Sequence, residues 1–218
     1  MRIGIAGKMG AGKTTLANYI RDTYGYTIAS LATPLKQLEQ IHATVPYEDW
    51  DMAIHALAVD IAEACNAEIA HTKCAILDCF NANVPMPGIK NRKLLQELGT
   101  DYLRYRVHPD VWALYLLNKY AADYNLVVDD VRFPNELQLL RGHGFITLRL
   151  QMPDHIRLQR IVKLYGSYNV EALTHPSEIS LDNHLHEFDY IIAAHLPLEL
   201  QYRIIDVVLD RGVDTETR

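Results

Sequence analysis

Lys13 and Thr14 close a glycine run whose spacing is that of side chains that handle phosphate. The stretch Gly7-Lys8-Met9-Gly10-Ala11-Gly12-Lys13-Thr14 fits the pattern G-x-x-x-x-G-K-[ST]. Glycines let the backbone fold into a nest of N–H donors, and a helix starting near Lys13 adds the positive end of its dipole. Lys13 then reaches the outer phosphates of a nucleotide, and the Thr14 hydroxyl is placed to hold Mg²⁺. The contacts expected with a nucleoside triphosphate are Gly7, Lys8, Met9, Gly10, Ala11, Gly12, Lys13, Thr14 and Thr15. The context agrees: an apolar run over 2–6 precedes the loop, and Leu16, Ala17, Tyr19 and Ile20 continue it at helical spacing.

Two further stretches carry groups suited to phosphate chemistry. Arg92-Lys93-Leu94-Leu95-Gln96-Glu97-Leu98-Gly99-Thr100-Asp101-Tyr102-Leu103-Arg104 crowds cationic and amide side chains beside a glycine. If a helix runs through Gly99, Gln96 and Arg104 stand about two turns apart and line one groove. A solvated helical face is the other reading of the same residues. In Leu126-Val127-Val128-Asp129-Asp130-Val131-Arg132-Phe133-Pro134-Asn135-Glu136 an apolar strand ends in two carboxylates and then an arginine. Ligands of open α/β sheets lie beyond the carboxyl ends of the strands. A carboxylate there can hold Mg²⁺, with Asp130 the first choice and Asp129 beside it, and Arg132 can grip phosphate with a fork of donors. An acidic helix cap followed by a surface arginine would look alike.

The elements that must position these groups alternate. Strands are expected at 2–6, 26–30, 126–130, 145–150 and 189–193, separated by helices at about 13–23, 49–68, 92–106, 110–122, 154–164 and 197–208. That alternation predicts a five-stranded parallel sheet with helices on both faces, an α/β fold of the P-loop NTPase type. Near-continuous apolar runs such as Leu126-Val127-Val128 fit strands buried on both sides. Residues 69–91 are the least regular, with Asn81-Ala82-Asn83-Val84-Pro85-Met86-Pro87-Gly88 all turn chemistry, and are expected to form a loop between helices. The polar end, 210–218, is expected to fray.

With 218 residues, 49% of them hydrophobic, the chain suits one domain spanning 1–218. A net charge of −6 argues against a broad basic surface for polymeric nucleic acid, so any anion site must be a local cluster of Lys and Arg. No stretch has the roughly 18 apolar residues that span a bilayer, and a cytoplasmic location is expected.

Cys65, Cys74 and Cys79 are odd in number and lack C-x-x-C spacing. With His71 they sketch a zinc site, but the spacing is looser than structural zinc uses, and reduced, partly buried thiols are the better reading. His175, His184 and His186 read as hydrogen-bonded loop structure. Tyr102, Tyr105, Tyr115 and Tyr120 fall on helical patterns and read as core; one of them, or Trp112, is a candidate to stack on a base.

A phosphate loop alone permits a switch, a motor, an assembly factor or a kinase. The chain as a whole resembles the bacteriophage-type deoxynucleoside monophosphate kinases, within the nucleoside monophosphate kinase group. The resemblance rests on Gly7 to Thr14, Ala32-Thr33-Pro34-Leu35-Lys36, Leu95-Gln96-Glu97-Leu98-Gly99-Thr100-Asp101 with Arg104 and Trp112, Asp130-Val131-Arg132-Phe133-Pro134-Asn135-Glu136, and His175-Pro176-Ser177-Glu178 before the last strand. It implies transfer of the γ-phosphoryl group of ATP, with Mg²⁺, to a deoxynucleoside 5′-monophosphate. It also implies an acceptor-binding helical region over about 31–122, a lid over about 153–178, a homodimer, and host cytoplasm as the location if the gene is a phage's.

By the same resemblance Lys13, Arg104, Asp130, Arg132, Arg157 and Arg160 serve the transfer. Lys36, Gln96, Gly99, Thr100, Arg104, Trp112 and Arg132 meet the acceptor, and Thr14 and Asp130 hold the metal. Arg157 and Arg160 are three apart and so share a helical face, closing over the phosphates in this reading. The chain departs from the family pattern in Ile192-Ala193-Ala194-His195-Leu196-Pro197, where an asparagine and a glycine are usual, and over 37–91. A dephospho-coenzyme A kinase-like enzyme and a nucleotide-dependent assembly protein are the competing readings.

Overall fold

The computed structural model describes residues 1–168 and 170–215, apart from the side chains at 171, 172 and 211–215. In chain order the elements are β1 (Arg2–Gly7), α1 (Lys13–Tyr24), β2 (Thr27–Ala29), α2 (Thr33–Thr44), α3 (Trp50–Ala53), α4 (His55–Cys65), α5 (Ile69–Asn81) and α6 (Arg92–Gln96). A π-helical segment, Glu97–Tyr102, leads into α7 (Leu103–Arg106) and α8 (Val111–Lys119). Then come β3 (Leu126–Val131), α9 (Pro134–Gly142), β4 (Phe145–Gln151), α10 (Asp154–Tyr165), α11 (Val170–Thr174), α12 (Pro176–Ile179), β5 (Tyr190–Ala193) and α13 (Leu198–Thr215). Of the tail expected to fray, 216–218 lie outside the described residues, as does residue 169 of the expected lid. The chain forms two compact units, Met1–Ser30 with Ala122–Arg218, and Leu31–Ala121.

In the first unit the strands make one parallel sheet in the order β2-β3-β1-β4-β5. Parallel neighbours need crossover helices, and these cover both faces. On one face Ile3, Ile5, Val127, Leu148, Leu150 and Ile192 pack against Leu16, Ala17 and Ile20 of α1 and Ile205, Val208 and Leu209 of α13. On the other, buried Leu137 and Leu140 of α9 lie over the sheet, with Leu140 beside Gly4. The central β1 therefore ends between neighbours on both sides, where an open α/β sheet offers its ligand crevice. Its register against β3 slips by one residue: Gly4 faces Val128 but Ala6 faces Val131, so the irregularity falls at Asp129 and Asp130.

The second unit is helical. Its core gathers Leu38, Trp50, Ile54, Ala58, Ile61, Ile76, Phe80, Leu94, Leu98 and Trp112. The expected loop over 69–91 is corrected here, since its first half is the helix α5. Thr72, Ala75, Ile76, Cys79 and Phe80 are buried and recur at the spacing of one helical face. The turn-rich composition truly governs only the stretch after α5. Helix α2 also went unforeseen, although Pro34 starts it and Pro34, Leu38 and His42 are buried at every fourth residue. The single helix expected over 49–68 breaks into α3 and α4 at Ile54. Tyr115 is core as expected, but Tyr105 is 79% exposed. Cys79 is buried, Cys65 half-buried and Cys74 exposed, all three free. Among the described residues no helix is long and apolar enough to cross a membrane.

Candidate active site

The phosphate loop runs from the end of β1 to the start of α1. Gly10 and Gly12 have φ of 81° and 93°, in the left-handed region that glycine adopts without strain. Gly10 also lacks room for a side chain, because a Cβ there would stand 2.8 Å from Cγ1 of Ile161 on α10. The loop is thus pressed against α10, which carries Arg157 and Arg160. Arg157 Nη1 donates to the Met9 carbonyl at 3.5 Å and Arg160 Nη1 to the Gly10 carbonyl at 3.4 Å. Both arginines share the face that their spacing implies. Arg157 is also paired with Asp154, Nε to Oδ1 at 2.9 Å, and Arg160 Nη2 reaches the Ala194 carbonyl after β5 at 3.3 Å.

Lys13 curls back over the loop, its Nζ donating to the carbonyls of Gly7 at 2.6 Å and Lys8 at 3.2 Å. Burial and the Arg132 guanidinium push its ammonium down to about 8, while Glu178, Asp130 and Asp129 act the other way. The Thr14 hydroxyl donates to Asp129 Oδ2 at 3.0 Å. Asp130 instead accepts from Ser30 Oγ at 2.6 Å. A threonine hydroxyl beside a carboxylate is the oxygen-donor set that Mg²⁺ takes alongside substrate phosphates and water, and the Thr14 and Asp129 pair fits it. Asp130, the expected metal carboxylate, is the next residue in the chain.

Arg132 stands at the turn from β3 to α9, and two glutamates hold it. Glu136, at the third position of α9, accepts from the backbone N–H of Arg132 at 2.8 Å and of Phe133 at 3.0 Å. Pro134 at the first turn and a glutamate two residues later are a helix-start signal readable in Phe133-Pro134-Asn135-Glu136. At the other end of the residue, Nη1 donates to Glu178 Oε1 at 2.6 Å and to the Ser177 carbonyl at 3.3 Å. Beside the loop, Lys8 pairs with Asp182 at 2.7 Å and Asp182 with Arg149 at 3.1 Å. These line a cavity of about 270 Å³ with Ala11, Gln151, Asp154 and Arg157. Sequence reading did not find Arg149, Asp182 or Ser30, for they carry no local motif.

Of the expected acceptor residues, all but Arg132 lie in the second unit. Lys36 and Gln96 are exposed and Thr100 half-buried. The chain stays helical through Gly99, but by π turns, with the Leu103 N–H donating to the Leu98 carbonyl. The wider turn shifts the helical phase, so Gln96 and Arg104 are not two plain α-turns apart; single π turns inside helices are frequent at functional sites. Arg104 Nη1 donates to the Pro109 carbonyl at 3.0 Å. Trp112 is 2% exposed and its indole N–H donates to the Gly99 carbonyl at 3.1 Å. A ring so enclosed has no face for a base; it packs beneath the Gly99 turn, and its expected stacking role is corrected to that. The histidines bond locally, His175 Nδ1 with Ser177 and His184 Nδ1 with Glu187.

A sheet of order β2-β3-β1-β4-β5 with a phosphate loop after its central strand defines a P-loop nucleotide-binding protein of the α/β class. Residues 3–173 match the family described as AAA domain, and the chain belongs to that family. It is 25% identical over 240 aligned positions, 96% of each chain, to a protein of Acanthamoeba polyphaga mimivirus named deoxynucleotide monophosphate kinase. Over 92 positions it is 46% identical to the deoxynucleoside-5′-monophosphate kinase of Escherichia phage T5, covering 41% of this chain and 34% of that one. Among solved structures, shikimate kinase from Bacteroides thetaiotaomicron superposes with a TM-score of 0.50 at 15% identity, over 96% of this chain and 98% of that one, a likeness of fold.

Proposed function

We propose that this protein transfers the γ-phosphoryl group of ATP to a deoxynucleoside 5′-monophosphate, giving ADP and the deoxynucleoside diphosphate. The observation that carries the reading is the set of groups around the phosphate loop: Lys13, Arg132, Arg157 and Arg160 with the Thr14 and Asp129 pair. The names of the two viral relatives support the same reaction. Two anionic substrates repel each other, and inside a chain of net charge −6 only such a local cluster can offset that repulsion.

The chain's own groups do the work by position. The backbone nest from Gly7 to Thr15 and Lys13 seat the donor phosphates. Arg132, Arg157 and Arg160 neutralise charge on the group in flight, and Arg104 meets the acceptor's phosphate. Lys36, Gln96, Gly99 and Thr100 shape the acceptor site. Thr14 and Asp129 would hold Mg²⁺, which would supply further positive charge at the phosphates. No general base is required, since the attacking acceptor oxygen is already anionic; positioning and electrostatic stabilisation suffice. Closure of the segment 153–178 keeps water from the γ-phosphate. The resemblance extends to a homodimer in the cytoplasm.

The test is a panel of acceptors with ATP: the four deoxynucleoside monophosphates, dephospho-coenzyme A, and no acceptor. The reading expects diphosphate product from at least one deoxynucleotide. Product from dephospho-coenzyme A alone, or ADP formed equally without acceptor, would replace it with one of the competing readings.

A further inference from the structure

One buried carboxylate joins the phosphate loop to the arginine at the end of β3. Glu178, 9% exposed, accepts from the Met9 backbone N–H through Oε2 and from Arg132 Nη1 through Oε1, both at 2.6 Å. Bonds between an ionised pair at this distance are the strong kind. Met9 is held from the other side as well, since its carbonyl accepts from Arg157. The side-chain bonds described for Arg132, to Glu178 and to the Ser177 carbonyl, both run through Nη1. Glu178 itself is fixed by local geometry: Pro176 starts α12, the His175 side chain accepts from the Ser177 N–H, and the Glu178 N–H donates to the His175 carbonyl at 2.8 Å.

We propose that Glu178 is a positioning residue for phosphoryl transfer, holding the Arg132 guanidinium and the Met9 peptide of the phosphate loop in fixed relation. An arginine on a turn carries several rotatable bonds, and its fork stabilises a transferring group only if it is already aimed when charge develops. Glu136 fixes the backbone of Arg132 and Glu178 fixes its far end, so little reorganisation remains for the moment of reaction. This rests on the reading of the protein as a kinase that uses Arg132.

A double-mutant cycle tests it with ATP and the preferred deoxynucleoside monophosphate, each variant first shown to be folded by its thermal transition. E178Q keeps the shape, removes the charge and sets an amide N–H₂ against a donor. It should lower kcat by about ten- to a hundredfold while the KM for ATP changes much less. R132A should lower kcat at least as much, and the double variant E178Q/R132A should be no slower than R132A alone, because Glu178 acts through the arginine. Should E178Q fail to fold, Glu178→Asp, which keeps the charge but is too short to span both partners, carries the same expectation. Wild-type kcat in E178Q, or losses that multiply in the double variant, would overturn the inference. So would tighter ATP binding with kcat intact, which would mark the carboxylate as a mere occupant of the phosphate's place. Failure of the kinase reading would look different: the wild-type protein would make no diphosphate at all.

Discussion

The residues around the phosphate loop differ in what they lose when cut back. In the proposed reaction Lys13 and Arg132 each supply preorganised positive charge, and that proposal expects Lys13→Ala or Arg132→Ala to raise the barrier by about 3 kcal/mol, roughly a hundredfold in rate. Steady-state turnover of folded variants checks this, and near wild-type rates would remove either residue from the reaction. The cysteines give a prediction away from the site. Burial pushes the Cys79 thiol up to about 12, helped by Glu97 and Asp101, and burial pushes Cys65 up to about 11, helped by Asp110. Both keep their protons at pH 8, so an alkylating reagent should take the exposed Cys74 first and reach all three only in denaturant. Because the folded values exceed the unfolded thiol's of about 8.5, the unfolded chain releases these protons first. The stability they contribute is full below that value and is lost as pH rises towards 11 to 12; unfolding free energy measured over this window should fall.

Among the elements, the phosphate loop and the strands were legible because their signals are local. The expected strands at 2–6, 126–130 and 145–150 differ from β1, β3 and β4 by a residue at the ends, since buried parallel strands write unbroken apolar runs. Helix α5 was not legible, because a short apolar stripe lies next to a dense run of turn residues and the stronger signal was extended over both. Its packing sets a cost. Phe80 is fully buried with its ring 4.7 Å from that of His42 and 5.1 Å from that of Trp50. Phe80→Ala should therefore destabilise the protein by about 3–5 kcal/mol. Denaturant unfolding would show this as a lower midpoint, and an unchanged midpoint would mean that α5 is as peripheral as a loop. The π segment at Glu97–Tyr102 was invisible for another reason: Gly99 signals a break, and whether a helix ends or widens there depends on the packing of Leu35 and Trp112 around it.

At the scale of the molecule, what escaped the sequence is which distant residues meet. Thr14 and Asp129 are 115 positions apart, and Met9 and Glu178 are 169 apart. Spacing rules reach a few turns of helix, so neither the Thr14–Asp129 contact nor the Met9–Glu178 contact is legible in the sequence. The order of the strands was likewise beyond a linear reading, while their parallel pairing followed from the helices between them. The homodimer implied by resemblance predicts a solution mass of twice the 24.8 kDa chain, read by light scattering. A single-chain mass at micromolar concentration would remove it without touching the chemistry.

The central claim is that the protein passes a phosphoryl group from one nucleotide to another, and following the label tests it most directly. With ATP labelled at the γ-phosphate and a single deoxynucleoside monophosphate, the label should appear at the β-phosphate of the deoxynucleoside diphosphate, one for each ADP formed. Label recovered as free phosphate at the same rate, with or without the acceptor, would contradict it.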